Sequence, residues 1–240
     1  KMNPLRKYSY ENKWNIGFVQ ENLSGILSSN KPLTIKWLKH NCKNSWFADP
    51  FIVDILNNDI YILVEEYHDP IKRGRISRLI VDKESYELKQ KDTVLELSTH
   101  LSFPAILRKG NKIFIYPENS ASGKLVMYEY DYINNICTNH QTLSNIPLTD
   151  AIITNIANEQ YIISTQLPHP NSNILGKYSS DNLIQEFIFD SKIARNAGDW
   201  FEYNNKLYRP AQDCNKTYGG AVIIQEVTAV NNTLQFKNIR

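Results

Sequence analysis

The side chains in this sequence best suited to chemistry are carboxylates set among aromatic residues. Asp49 stands in the run Trp46-Phe47-Ala48-Asp49-Pro50-Phe51, where a charge among large apolar groups is costly unless it is used or paired. Glu65 and Glu66 close one apolar run, Glu118 closes another, and Asp150 follows Leu148-Thr149. Carboxyls gathered at one partly dehydrated place shift one another's pKa, so one can stay protonated as an acid while another stays ionised as base or nucleophile. Cleavage of a glycosidic bond uses that division of labour. Asp49, Asp150 and Glu118 form the candidate catalytic set. Trp46, Glu65, Glu66, His100, Phe103, Arg209, Gln212 and Asp213 are candidate substrate contacts, because ring faces beside carboxylates and amides suit sugars. Arg209, inside an apolar run, is a candidate to hold a central carboxylate or a substrate anion. Plainer roles compete: an Asp at a strand start caps turns, and Glu65 or Glu66 could pair with Arg73 or Arg75 across a hairpin.

These residues recur at matching places in a repeat. The first unit runs Ala48-Asp49-Pro50-Phe51-Ile52-Val53, a turn at Asn57-Asn58-Asp59, then Ile60–Glu66, returning through Gly74–Ile80. The second is Ser102–Leu107, the turn Lys109-Gly110-Asn111, Ile113–Asn119 and Gly123–Tyr128. The third is Thr149–Ile153, a turn around Asn158, then the run from Tyr161, returning near Asn173-Ile174-Leu175. The fourth reads Gly198-Asp199-Trp200-Phe201, Asn204-Asn205, Leu207–Asp213 and Gly219–Ile224. A period of roughly 45 to 50 residues, with tight Asn/Gly turns between apolar runs, predicts propeller blades. Further strands are expected over 14–19, 33–38 and 233–239. The expectation is an all-β, five-bladed β-propeller forming one domain over residues 1–240, with the last blade closed by strands from both termini; four blades is the alternative. In such a fold the start of strand one and the end of strand two share one end of each blade. Asp49, Phe103, Asp150 and Asp199 would then meet Glu65/Glu66, Glu118 and Gln212/Asp213 around one channel mouth.

Composition agrees and narrows the classes. Aromatic residues are plentiful (Tyr 14, Phe 9, Trp 4), which favours pleated surfaces. A formal charge of +2 without a long basic run argues against nucleic-acid binding. No apolar stretch is long enough to insert in a membrane and no signal peptide opens the chain. The cysteines Cys42, Cys137 and Cys214 are odd in number and far apart, so free thiols in a reducing, cytoplasmic compartment are expected. The histidines form no metal-ligand pair, and the common nucleotide and serine-hydrolase signatures are absent, so no metal and no cofactor is expected.

The ordered motifs WFADPF, EE followed by RGRI, SFPAI, YPEN, LTDA, LYRPAQD and YGGAV resemble one family: the propeller domain named after the N-terminal part of plant glucosamine inositolphosphorylceramide transferase. The likeness covers roughly residues 14 to 230. WFADPF is also similar to the opening of the five-bladed arabinanase, xylosidase, invertase and levansucrase glycosidases. That resemblance implies acids on the first three blades as base or nucleophile, pKa modulator and general acid. Asp49 matches the first position; Phe103-Pro104 replaces the second, with Glu118 a substitute on the adjacent strand; Asp150 stands where the superfamily usually has Glu. The implied partner is a carbohydrate of the cell surface or envelope, with a fused or associated transferase domain. Two functions follow: a glycoside-hydrolase-like domain acting on a glycosidic bond, or a non-catalytic sugar-recognition domain of a glycan-synthesis system.

Overall fold

A computed structural model describes residues 13–29, 31–166, 173–231 and 233–240. The chain opens with β1 (Gly17–Val19), a short helix α1 (Leu23–Ser28) and β2 (Ile35–Trp37), β1 pairing with β2. Four antiparallel four-stranded sheets follow among the described residues. The first is β3 (Ser45–Leu56), β4 (Asp59–His68), β5 (Arg73–Asp82) and β6 (Leu88–Leu95). The second is β7 (Ser102–Lys109), β8 (Lys112–Glu118), β9 (Leu125–Asp131) and β10 (Ile136–Ser144). The third is β11 (Leu148–Ile156), β12 (Glu159–Gln166), β13 (Ile174–Ser179) and β14 (Asn182–Ile188). The fourth is β15 (Phe201–Tyr203), β16 (Lys206–Asp213), β17 (Ala221–Val230) and β18 (Thr233–Asn238). Each sheet meanders in chain order, the arrangement of an all-β propeller.

The turns are where the Asn and Gly residues predict them. Asn57, Gly110, Asn158, Asn204 and Asn205 all have positive φ, the left-handed geometry that tight hairpins demand and that Asn and Gly tolerate best. One apolar core runs through all four sheets, from Phe51 and Leu63 through Phe103, Ile115, Ile152 and Ile163 to Val227 and Leu234. A second core covers the other face of the first sheet: Ile60, Ile62 and Val64 of β4 pack with Phe47, Leu79, Ile16 and Leu38. Because successive strand residues face opposite ways, Leu63 enters one core and its neighbours the other.

Four blades form among the described residues, and no fifth sheet built from both ends is seen among them. β18 completes the fourth sheet, and β1 and β2 pair with each other rather than with the C-terminal strand. The two ends are tied by a side chain instead: the Arg240 guanidinium donates to the carbonyls of Ile26 (2.9 Å), Ser29 and Lys31 (2.5 Å). No helix among the described residues is long and apolar enough to cross a membrane.

Candidate functional site

Three inner strands carry the same irregularity at the same height. Asp49, Phe103 and Asp150 have φ of 50, 43 and 48°, and at each the strand pairing shifts register, between Ala48 and Phe51, Ser102 and Pro104, and Thr149 and Ile152. A bulge of this kind re-aims a side chain and twists the strand, and φ > 0 is strained for a residue with a side chain. The strain is offset by bonds between sheets. Phe103 N–H donates to Asp49 Oδ2 (3.2 Å), and Asp150 N–H donates to Glu118 Oε2 (3.0 Å). Asn196 Nδ2 carries the series to the fourth sheet, donating to the carbonyls of Asp150 (2.8 Å) and Ile163 (3.0 Å).

Above these bulges opens a pocket of about 530 Å³, within the usual range for small-molecule sites. Asp49, Glu65, His100, Glu118, Arg195 and Gln212 supply its polar wall; Trp46, Tyr67, Trp14 and Tyr218 supply its aromatic one. Trp46 and Tyr67, paired across β3 and β4, stack with ring centroids 5.0 Å apart and planes 1° from parallel. Asp150 is buried at 2% exposure and reaches the pocket through two lining residues: Arg195 Nε lies 2.5 Å and Gln212 Nε2 3.0 Å from its Oδ2.

Burial pushes the Asp49 carboxyl up to about 8, aided by the nearby charges of Glu65 and Asp150. Burial and Asp150 likewise push Glu118 up to about 8, although Asp150 N–H and Ser120 oppose the change. Two acids lining one pocket are therefore both shifted towards holding protons near neutrality. Burial works against the charge of Arg195, and the Asp150 carboxylate more than compensates, so its pKa moves up. His100 Nε2 is 3.2 Å from Glu65 Oε1, and its Nδ1 accepts Gly74 N–H at 3.0 Å. The Nε2–H tautomer satisfies both contacts. This meeting depends on Gly74: a Cβ there would stand 2.3 Å from the Leu101 carbonyl and 2.8 Å from Glu65 Oε1.

Asp49, Glu118, Trp46, Glu65, His100 and Gln212 thus gather at one pocket, with Asp150 just beneath. Four other candidates do not line it. Phe103 is buried edge-on to Phe51, contributing only its backbone N–H. Glu66 is fully buried in a separate knot, bonded by Arg75 (3.0 Å), Ser77 (2.5 Å), Ser45 (2.6 Å) and Lys91; the hairpin pairing expected as its plainer role is what forms. Asp213 accepts from the backbone and side chain of Asn215 in a turn. Arg209 has no exposed surface and braces the chain behind Arg195, donating to Asn196 Oδ1 (2.8 Å), Ile193 O (3.1 Å), Gln225 Oε1 (2.6 Å) and Ala194 O.

The fourth repeat is also phased differently. Gln212 N–H bonds the Arg195 carbonyl (2.9 Å) and Asn196 pairs with Ala211, so Arg195-Asn196 occupies the place of Ala48-Asp49. Asp199 lies three residues beyond it. Arg195, Asn196, Thr149, Tyr218 and the strap of residues 14–17 escape the sequence reading. The small-polar-small pattern Ala194-Arg195-Asn196-Ala197 is the signal that was available.

The fold is an all-β propeller, and several solved glycosidases share it. An exo-β-1,3-galactanase from Phanerochaete chrysosporium, solved with β-1,3-galactotriose, superposes with a TM-score of 0.62 at 11% identity, over 85% of this chain and 53% of its own. A β-xylosidase does so at 0.62 and 10%, over 85% and 79%. The arabinanase of Cellvibrio cellulosa, complexed with arabinohexaose, gives 0.56 and 10%, over 91% and 82%. The chain itself belongs to the family described as glucosamine inositolphosphorylceramide transferase 1, N-terminal, whose model matches residues 15–240. The transferases of that name from Oryza sativa subsp. indica and Arabidopsis thaliana are 24% and 23% identical over 77% and 78% of this chain. The chain spans about a quarter of their length, 26% in each case.

Proposed function

We propose that the pocket is a carbohydrate site acting on a glycosidic bond of a surface or envelope glycan, with Asp49 and Glu118 as its proton-handling pair. The observation that carries this reading is two carboxyls from adjacent sheets, each raised to about 8, lining one pocket. One would deliver its proton to the glycosidic oxygen as the bond to the anomeric carbon breaks; the other, once ionised, would take a proton from the attacking water. Asp150, buried and paired with Arg195 at 2.5 Å, would act on both from beneath the floor. We also read the β1–β2 ribbon as the remnant of a fifth blade, and residues 1–240 as one domain in a reducing, cytoplasmic setting.

The test is turnover of a panel of arabino-, xylo- and β-1,3-galacto-oligosaccharides and envelope glycans. Asp49→Asn and Glu118→Gln should each cut product formation about 100-fold or more. Activity indifferent to both substitutions would sink the mechanism. A second reading, sugar recognition for a fused or associated transferase domain, is favoured by Phe103 at the second-sheet position and by Asp150 lying under the floor. Binding without product, unchanged in Asp49→Asn, would select it.

A further inference from the structure

The pocket draws its lining from all four sheets and from the N-terminal segment. Trp46–Pro50, Glu65 and Tyr67 come from the first sheet, His100, Ser102 and Glu118 from the second sheet and its approach, and Thr149 from the third. Arg195, Gln212 and the rim at Tyr218–Val222 come from the fourth. The remaining side, between the fourth sheet and the first, is filled by residues 14–17. This strap is fixed at several points. Trp14 O accepts Phe47 N–H (3.3 Å), and Asn15 Nδ2 donates to Leu38 O (3.1 Å). Ile16 O accepts Leu38 N–H (2.9 Å), and the Ile16 side chain is buried. On the other side the Trp14 indole lies over Gly219, close enough that a Cβ there would stand 2.8 Å from Trp14 Cη2. Gly219 has φ +60°, so the loop both turns there and leaves room for the indole.

From this geometry we infer that the pocket receives the end of a glycan rather than an internal stretch, and that Trp14 is the specificity-determining residue that closes it. A chain threaded through the site would have to pass between the fourth sheet and the first, where the strap lies. The floor fits a terminal residue: Thr149 is 2% exposed, lines the pocket, and its Oγ1 has no hydrogen-bond partner among the described residues. A buried hydroxyl left unpaired costs free energy that a ligand hydroxyl reaching the floor would recover. Trp14 and Tyr218, 37% and 56% exposed, flank the entrance as apolar faces for the next sugar out. The inference rests on the carbohydrate reading above but not on turnover.

The test uses polarity of attachment. Arabino-, xylo- and β-1,3-galacto-oligosaccharides and envelope glycans are each printed twice, once through the reducing and once through the non-reducing end. Wild-type protein should bind a given glycan in one polarity at least tenfold better than in the other. In Trp14→Ala that ratio should fall towards one, as internal units gain access; Trp14→Leu, which keeps an apolar side chain on the strap, should fall between. Equal wild-type binding in both polarities overturns the inference and leaves the carbohydrate reading standing. A wild-type preference unchanged in both variants removes Trp14 as its cause. Binding to no glycan in either polarity overturns both readings together.

Discussion

Glu118, at the end of the second strand of the second sheet, accepts the backbone N–H of Asp150 at 3.0 Å while the Asp150 carboxylate helps hold it protonated. One residue therefore both anchors this acid and tunes it. Charge repulsion from Asp150 and burial raise Glu118; the N–H bond favours the ionised form and limits how far the shift goes.

That balance makes stability depend on pH. Asp49 and Glu118 have folded-state pKa values raised above their unfolded ones, to about 8 each. Their contribution is fully present below about pH 4 and is lost as pH rises towards 8, because the unfolded chain ionises first. Asp49→Asn should remove this loss, so the variant gains stability relative to wild type between pH 4 and 8. A ceiling of about 5 kcal/mol follows from 1.36 kcal/mol per unit, and relaxation should bring the measured gain well below it. Urea unfolding at pH 4, 6 and 8 checks it; a difference between the proteins independent of pH would refute the assignment.

The Glu66 knot predicts the opposite slope. Although burial works against it, bonds from Arg75, Lys91, Ser45 and Ser77 bring Glu66 down to about 2. A depressed carboxylate stabilises the fold above its unfolded pKa, and that stability is lost as pH falls from about 4.5 to 2. Glu66→Gln should cost about 3 kcal/mol at pH 7 and little at pH 2. Parallel acid-unfolding curves for wild type and variant would contradict this.

Arg209 should behave as a support rather than a ligand contact. Burial pulls its pKa down, and Asp150 opposes that pull. Arg209→Met leaves Asn196 Oδ1, Gln225 Oε1 and two carbonyls without this donor. A loss of about 3–5 kcal/mol is expected, with loosening centred on residues 193–196. Hydrogen exchange resolved along the chain would show it, and uniform protection over that segment would count against the bracing role.

Much of the fold could be read because it is written in local chemistry. Asn57, Gly110, Asn158 and Asn204-Asn205 mark turns whose geometry selects those residues. The outer strands β6, β10 and β14 were not legible: half-exposed sequences such as Leu88–Leu95, with two Lys, a Gln and an Asp, carry no clean period-two signal. Within the site, Asp49 and Glu118 stood out as acids beside apolar runs. Arg195 and Asn196 did not, because the fourth inner strand is broken and its phase is set by pairing with Ala211 and Gln212. Nor could the strap at Trp14 be placed, since its position depends on contacts with Phe47, Leu38 and Gly219, all distant in sequence.

The left-handed kink shared by Asp49, Phe103 and Asp150 works as a socket. Its backbone geometry and register shift are the same whether the socket holds a carboxyl or a phenyl ring, and its N–H is claimed by the preceding sheet both at Phe103 and at Asp150. Scaffold and reagent are thereby separable. A propeller built this way can exchange the group at one socket without refitting the strands above it, so descendants of one ring can diverge in chemistry while their blades stay superimposable.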